Sequence, residues 1–196
     1  MSNSKVKIIG IVGSGRRNSN SKRLLQMALD AAEGKGCEVE MVDVLDLKFS
    51  GCSGCNDCLK TGICCIDDEL TPIYDKLDSA DGIIVSFPVY FYSIPGQMKL
   101  LVDRFQAFWA RRYVLGMEPE KNRLGGLISI AASKGKKVFD GVILPIRYFY
   151  TVQGVELIEP LLIRDWDGEP ENLSQDILDM AAEYGGKIGL ATKTDM

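Results

Sequence analysis

Apolar positions along this chain fall into two alternating kinds of run. Short, dense stretches carry β-branched residues and end at glycine, proline or polar residues: "KVKIIGIVG" (5–13), "CEVEMVDV" (37–44), "GIIVSFP" (82–88), "RLGGLISIAAS" (123–133) and "GVELIEPLLI" (154–163). Each predicts a strand. Between them the spacing changes to that of a helix. "SKRLLQMALDAAEG" (21–34) predicts a helix ending at Gly34, with Ser19 to Ser21 as N-cap candidates. "TPIYDKLDSADG" (71–82) opens on Thr-Pro, a fitting start because the first helical position needs no N–H donor. Met98, Leu101, Val102, Phe105 and Phe108 lie on one face of a helix after the third strand. A further helix is expected within 136–152, interrupted at Pro145, and a last one puts Leu173, Ile177, Met180, Ala181, Tyr184 and Ile188 on one face.

Five strands alternating with five helices predict an α/β fold, a parallel sheet covered on both faces. Pro160 favours an edge position for the last strand. With 196 residues and no repeat or linker, the chain is expected to form one domain, residues 1–196. The longest connection without periodicity, 110–122, reads as a lid, a partner or oligomer contact, or a plain loop.

Net charge is −4, so no global basic field points to nucleic acid or an anionic membrane. No apolar run approaches the roughly 20 residues of a spanning helix. The N-terminal apolar stretch is too short for a signal peptide. The expectation is a cytoplasmic protein without nucleic-acid or membrane partners. The chain also has no histidine. That excludes a Ser-His-Asp triad, a Cys-His pair and His-ligated zinc, and leaves redox or group-transfer chemistry to a cofactor.

Ligands of open α/β sheets bind at the carboxyl ends of the strands. The first such loop, "GSGRRNSNSKR" (13–23), has Asn18 where a dinucleotide fingerprint needs its third glycine, and Arg16-Arg17 where a P-loop needs Lys-Ser/Thr. Asp43, at the end of the second strand, stands where a ribose-binding acid would lie. What remains is a set of hydroxyls and amides (Ser14, Ser19, Asn20, Ser21) with Arg16 at a helix start. This suits a phosphate monoester, or simply caps a helix. After the third strand, "SFPVYFYSIPGQMK" (86–99) puts three aromatics and a serine at a strand end, as a wall for a flat ring or as core or interface residues.

Positions 51–65, "GCSGCNDCLKTGICC", hold five of the six cysteines. Cys52, Cys55, Cys58 and Cys64 are spaced C-x2-C-x2-C-x5-C. Such gaps let successive thiolates wrap one small inorganic centre, and four thiolates satisfy a 4Fe–4S cube. Structural zinc more often joins two distant C-x2-C knuckles. A cluster-free thiol loop, zinc and a disulfide remain the other readings. Cys65 is expected to point away and pack, and Cys37 to be buried and inert.

Taken together and in this order, "GSGRRNSNS", "CSGCNDCLKTGIC" and "DDELTPIYDKLDSADGIIVSFPVYFYSIPGQMKLLVDR" resemble the flavodoxin-like NAD(P)H-dependent FMN reductases, and within them the iron–sulfur flavoproteins. The resemblance implies a flavodoxin-like, doubly wound sheet of five parallel strands in the order 2-1-3-4-5. FMN would lie at the switch point, and the cysteine loop 51–66 would be inserted between strand 2 and the following helix. It implies Ser14, Arg16, Ser19, Asn20 and Ser21 at the FMN phosphate. Pro88, Val89, Tyr90, Phe91, Tyr92 and Ser93 fall beside the isoalloxazine and ribityl chain, Ser133 in the turn after strand 4, and Cys52, Cys55, Cys58 and Cys64 on a 4Fe–4S cluster. That turn carries Lys134, Lys136 and Lys137 where relatives are glycine-rich. The implied function is electron transfer from a ferredoxin-like donor through cluster and FMN to a small-molecule acceptor, with the flavin carrying the chemistry and no catalytic side chain. The alternatives are a cluster-free NAD(P)H-dependent FMN or quinone reductase and a flavodoxin-like carrier. A homodimer or homotetramer is implied.

Overall fold

The computed structural model describes residues 5–119 and 123–194. Its sheet contains β1 (Lys7–Val12), β2 (Glu38–Asp43), β3 (Gly82–Pro88), β4 (Arg123–Ile130), β5 (Val155–Leu157) and β6 (Leu161–Ile163). The order is β2-β1-β3-β4-β5, with β6 also on β4, and every pairing is parallel. The expected last strand is therefore two. Ile158 N–H still reaches the Gly125 carbonyl (3.0 Å), but Pro160 has no N–H to continue the ladder, which resumes with Leu161 opposite Ile128. The edge position holds and the continuity does not.

The helices are α1 (Asn20–Gly34), α2 (Cys58–Thr61), α3 (Thr71–Ser79), α4 (Gly96–Arg104), α5 (Gln106–Tyr113), α6 (Asp140–Thr151) and α7 (Gln175–Thr194). The sequence predicts five; the described residues hold seven. The cysteine loop contains its own helical turn, α2. The run from Met98 to Phe108 is also broken in two at Phe105. The Tyr74 hydroxyl donates to the Arg104 carbonyl (3.2 Å), which an unbroken helix would give to the Phe108 N–H; that N–H bonds Phe105 instead (2.9 Å). The connection expected at 110–122 is helical through Tyr113, and its residues 120–122 lie outside the described ones. α6 runs through Pro145. Leu173 precedes α7, and Met180 on α7 faces water rather than the core.

Strand alternation divides the core. Ile9, Ile11, Ile83, Val85, Phe87 and Leu127 face α3–α6. Ile8, Val12, Ile84, Ile128 and Ile130 face α1 and α7. Each such side chain, fully withdrawn from water, contributes about 1.5–3 kcal/mol. α1 and α7 meet at Gly185, where a Cβ would lie 2.0 Å from the Ala28 carbonyl oxygen. At the opposite end of the strands, buried Arg123 donates to the carbonyls of Leu77 (2.5 Å), Asp78 (3.0 Å) and Ala80 (3.2 Å), satisfying the end of α3.

Because β1 lies between β2 and β3, the chain leaves β1 toward one side and returns on the other. The loops after β1, β3, β4 and β6 therefore converge at one edge, where such folds form their crevice.

Candidate functional site

A cavity of about 270 Å³ opens at that edge, lined by Ser14, Arg16, Asn18, Ser19, Asn20 and Ser21 after β1, by Pro88, Val89 and Tyr90 after β3, by Ile130 and Ala132, and by residues 166–170 after β6. The first loop is held from within. Ser19 caps α1, its hydroxyl accepting from Lys22 N–H (3.2 Å), and Ser14 accepts from Arg16 N–H (3.2 Å). The Ser21 carbonyl accepts from the buried Ser86 hydroxyl of β3 (2.9 Å). Asp43 is taken by Lys22 (2.8 Å) and by the Leu45 N–H (3.0 Å), so it is spent on local structure rather than held free for a ribose.

Three buried polar atoms of this wall have no partner among the described residues: Asn20 Oδ1, Ser21 Oγ and Trp166 Nε1. Asn20 gives one amide N–H to the Gly168 carbonyl (2.9 Å), and its carbonyl oxygen is unpaired. The indole N–H can only donate, and the serine hydroxyl does either. Unpaired buried polar atoms cost about 1–3 kcal/mol each, and all three belong to residues that line one cavity, which fits a guest with both acceptors and hydroxyl donors. A sugar phosphate ester has that character.

The wall supplied by 166–170 is absent from the sequence prediction. It is strapped to α1: Asn18 donates to Glu171 (2.7 Å), Asn20 to Gly168, and Arg23 to the Pro170 carbonyl. The Asn18 bond holds the Glu171 carboxyl below its ordinary range. The one available signal was a lone tryptophan in a polar loop, "RDWDGEP", directly after the last strand.

Phe91, Tyr92, Ser93 and Ser133 stand outside the cavity wall. Tyr90 to Ser93 form a two-residue turn closed by mutual backbone bonds (3.0 and 2.9 Å), with Phe91 and Tyr92 at φ of 49° and 59°. That conformation costs a side-chain-bearing residue about 1–2 kcal/mol. Phe91 is fully exposed. The turn leans on α6 at Gly141, where a Cβ would sit 2.0 Å from the Tyr92 carbonyl oxygen, and the Tyr92 and Ser133 hydroxyls are 3.5 Å apart. Lys134 pairs with Asp165 (3.2 Å) on the surface.

The cysteine loop folds over α4 and α5. Gly54 and Asn56 at positive φ turn the chain so that Cys58 opens α2, whose buried thiol packs against Ala107 and Ala110 of α5. Cys52, Cys55, Cys58, Cys64 and Cys65 all line one small cavity. Burial raises the Cys58 thiol, and the charges that act on it come from Cys64, Cys52 and Cys55, the other three members of the expected set. Cys65 departs from expectation. It is exposed, lines the same cavity, and lies 3.3 Å from Cys55. Its thiol is pushed up to about 12 by that hydrogen bond, while the Asp57 amide and then Cys65 lower the Cys55 thiol. Among the described residues, the ligand atoms of Cys55, Asp57 and Cys65 lie within 4.8 Å of one another, while the four expected cysteines share the cavity without forming so tight a group. A thiol-rich set without histidine fits iron–sulfur or zinc ligation. Cys37 is buried near the Gly189 carbonyl (3.7 Å), as expected.

The loop's neck is zipped between Lys48 N–H and Glu69 (2.6 Å) and between Ser50 N–H and Asp68 (3.2 Å). Arg104 closes it. The guanidinium donates to the Ser50 carbonyl (2.9 Å), the Ile66 carbonyl (3.0 Å), both Asp68 oxygens (2.7 and 3.3 Å) and the Tyr74 hydroxyl (3.2 Å). Burial opposes the Asp68 charge, yet the Arg104 bonds and the Ser50 and Leu70 amides hold its carboxyl below the usual range. Burial raises the Tyr74 hydroxyl to about 12. A larger cavity of about 370 Å³ lies near the amino ends of the strands beside Asp78, Arg111, Arg123 and Gln153, and none of the expected site residues lines it.

Residues 6–140 match the family of NADPH-dependent FMN reductases. An iron–sulfur flavoprotein of Methanocaldococcus jannaschii is 37% identical over 129 residues, 66% of this chain and 64% of that one, so under two thirds of that relative has a counterpart here. One from Archaeoglobus fulgidus is 32% identical over 151 residues, 76% of this chain and 73% of its own. Among solved structures, an NAD(P)H:quinone oxidoreductase from Methanothermobacter marburgensis superposes with a TM-score of 0.73 at 11% identity over 95% of each chain, a likeness of fold. By the match over 6–140 and by these identities, the chain belongs to the NADPH-dependent FMN reductase family, in the branch of the iron–sulfur flavoproteins.

Proposed function

We propose that this chain is an FMN-dependent oxidoreductase that takes electrons singly from a ferredoxin-like donor through a 4Fe–4S cluster to FMN, and on to a small-molecule acceptor. The observation that carries the flavin half is the trio of unpaired buried atoms, Asn20 Oδ1, Ser21 Oγ and Trp166 Nε1, around the cavity at the switch point. Ser14, Arg16, Ser19, Asn20 and Ser21 would hold the phosphate. Pro88, Val89 and Tyr90 would flank the ribityl chain and ring, with Phe91, Tyr92, Ser93 and Ser133 on the outer rim. Cys52, Cys55, Cys58 and Cys64 would hold the cluster. FMN supplies one- and two-electron transfer and the cluster one-electron transfer, so the protein needs no acid–base pair.

What the chain itself does is hold and exclude. The strap 166–170 closes the phosphate end from water, and the neck below Arg104 keeps the four thiols on one cavity. Residues 1–196 act as one flavin-binding domain, which the single continuous sheet supports. A cytoplasmic location is part of the proposal, because a set of cysteines offered to a metal centre suits a reducing compartment. No helix among the described residues is long and apolar enough to cross a membrane. Exposed Trp109, Tyr113, Leu144 and Tyr148 on α5 and α6 support a homodimer or homotetramer.

The test is anaerobic purification followed by iron, sulfide and flavin analysis with a visible spectrum. About four irons and one FMN per chain are expected. FMN without iron, together with rapid bleaching by NADPH, replaces this reading with the cluster-free NAD(P)H-dependent reductase. Colourless protein that ignores added FMN overturns both.

A further inference from the structure

Arg104 is unusual for its place. α4 turns Met98 and Leu101 into the core, and on the same side stands an arginine whose side chain is completely buried. An apolar residue there would avoid the cost of dehydrating a charge, so a buried guanidinium needs a reason beyond stability. Its contacts supply one. It bonds Ser50 and Ile66, the residues on either side of the cysteine run, and it lines the cysteine cavity itself. Only a planar fork reaches two carbonyls, a carboxylate and a hydroxyl at once; a lysine would not.

The charge is also uneven. Asp68 keeps 15% of its side chain in water, while Arg104 keeps none. Arg104 lines the cysteine cavity and Asp68 does not, so the pair turns its positive end toward the thiols. A cluster held by four thiolates gains one negative charge on reduction, and a fixed cation beside it favours the reduced form.

We propose that Arg104 is a positioning residue of the cluster that also sets its reduction potential, closing the neck of the cysteine loop and holding a fixed positive charge at the wall of the thiolate cavity. This rests on the cluster reading above.

The experiment compares wild type, Arg104→Gln and Asp68→Asn, each purified anaerobically and reconstituted with ferrous iron and sulfide. Iron per chain is measured, and the cluster is titrated with redox dyes by visible and electron paramagnetic resonance spectra. Arg104→Gln is expected to lower the reduced-to-oxidised ratio at fixed poise by about tenfold, or 59 mV for a one-electron couple. Asp68→Asn is expected to raise it. A purely structural clasp would lower iron content in both variants and shift neither potential; potentials that stay at the wild-type value overturn the proposal. If Arg104→Gln does not fold, Asp68→Asn decides alone, an upward shift supporting the proposal and no shift overturning it. Wild type that takes up no iron overturns the cluster reading itself, and this shows before any variant is made.

Discussion

The chemistry of the cavity comes down to a few side chains with half-used hydrogen-bonding capacity. Asn20 is the clearest. One of its amide N–H groups is committed to Gly168, its carbonyl oxygen is unpaired and can only accept, and its second N–H is the group that suits a phosphate oxygen. Trp166 is the complement, an indole N–H that needs an acceptor such as a phosphate oxygen. Replacing it with phenylalanine keeps the packing against Gly168 and removes that donor. Since a bond to a charged acceptor is worth about 1.5–3 kcal/mol, Trp166→Phe is expected to weaken FMN binding by about tenfold or more. Quenching of flavin fluorescence on titration measures this directly, and unchanged affinity would remove Trp166 from the site.

At the scale of elements, the site depends on how closely loops and helices approach. The strained 90–93 turn is held by α6 only because Gly141 offers no side chain to the Tyr92 carbonyl. Gly141→Ala is expected to push the turn off the helix and destabilise the fold by about 1–3 kcal/mol, read from chemical denaturation, with the flavin site loosened in parallel. The neck of the cysteine loop has a pH dependence of definite sign. The Asp68 carboxyl titrates below its unfolded value of about 3.9, so its contribution is complete above that pH and is lost as the pH falls through the lower folded value. Amide exchange at Ser50 and Leu70, which both donate to Asp68, should stay protected at pH 5 and lose protection well below pH ~4. Protection that persists in acid would mean that the neck holds without the carboxylate.

For the whole molecule, a bound cofactor adds to folding stability by mass action. FMN at a hundred times its dissociation constant contributes about 2.7 kcal/mol. For a chain of this size that corresponds to a rise in Tm of about 5–10 °C by calorimetry. Riboflavin, which lacks the phosphate, should raise it far less. An equal shift with riboflavin would place the affinity in the ring pocket rather than in the loop that opens α1.

Some of this was legible in the sequence because it is written locally. Strand and helix periods, the Thr71-Pro72 helix start, the Ser19 cap and the cysteine spacing depend on neighbours within a few residues, and the sheet order followed once the alternation and the family resemblance were combined. What escaped depends on partners far along the chain. Tyr74, about 30 residues before Arg104, decides that one amphipathic run becomes two helices. The strap 166–170 joins a cavity whose other walls lie near residues 14–21 and 88–90. Cys65 turned toward Cys55 because the loop's left-handed turns bring the two together, which no count of intervening residues could reveal. Period and spacing thus determined most of the elements, the fold class and the kinds of donor available. Only the tertiary structure decided which donors share a cavity, which are already spent on one another, and which buried charge stands beside the thiols, because burial and hydrogen-bond satisfaction belong to the packed chain as a whole.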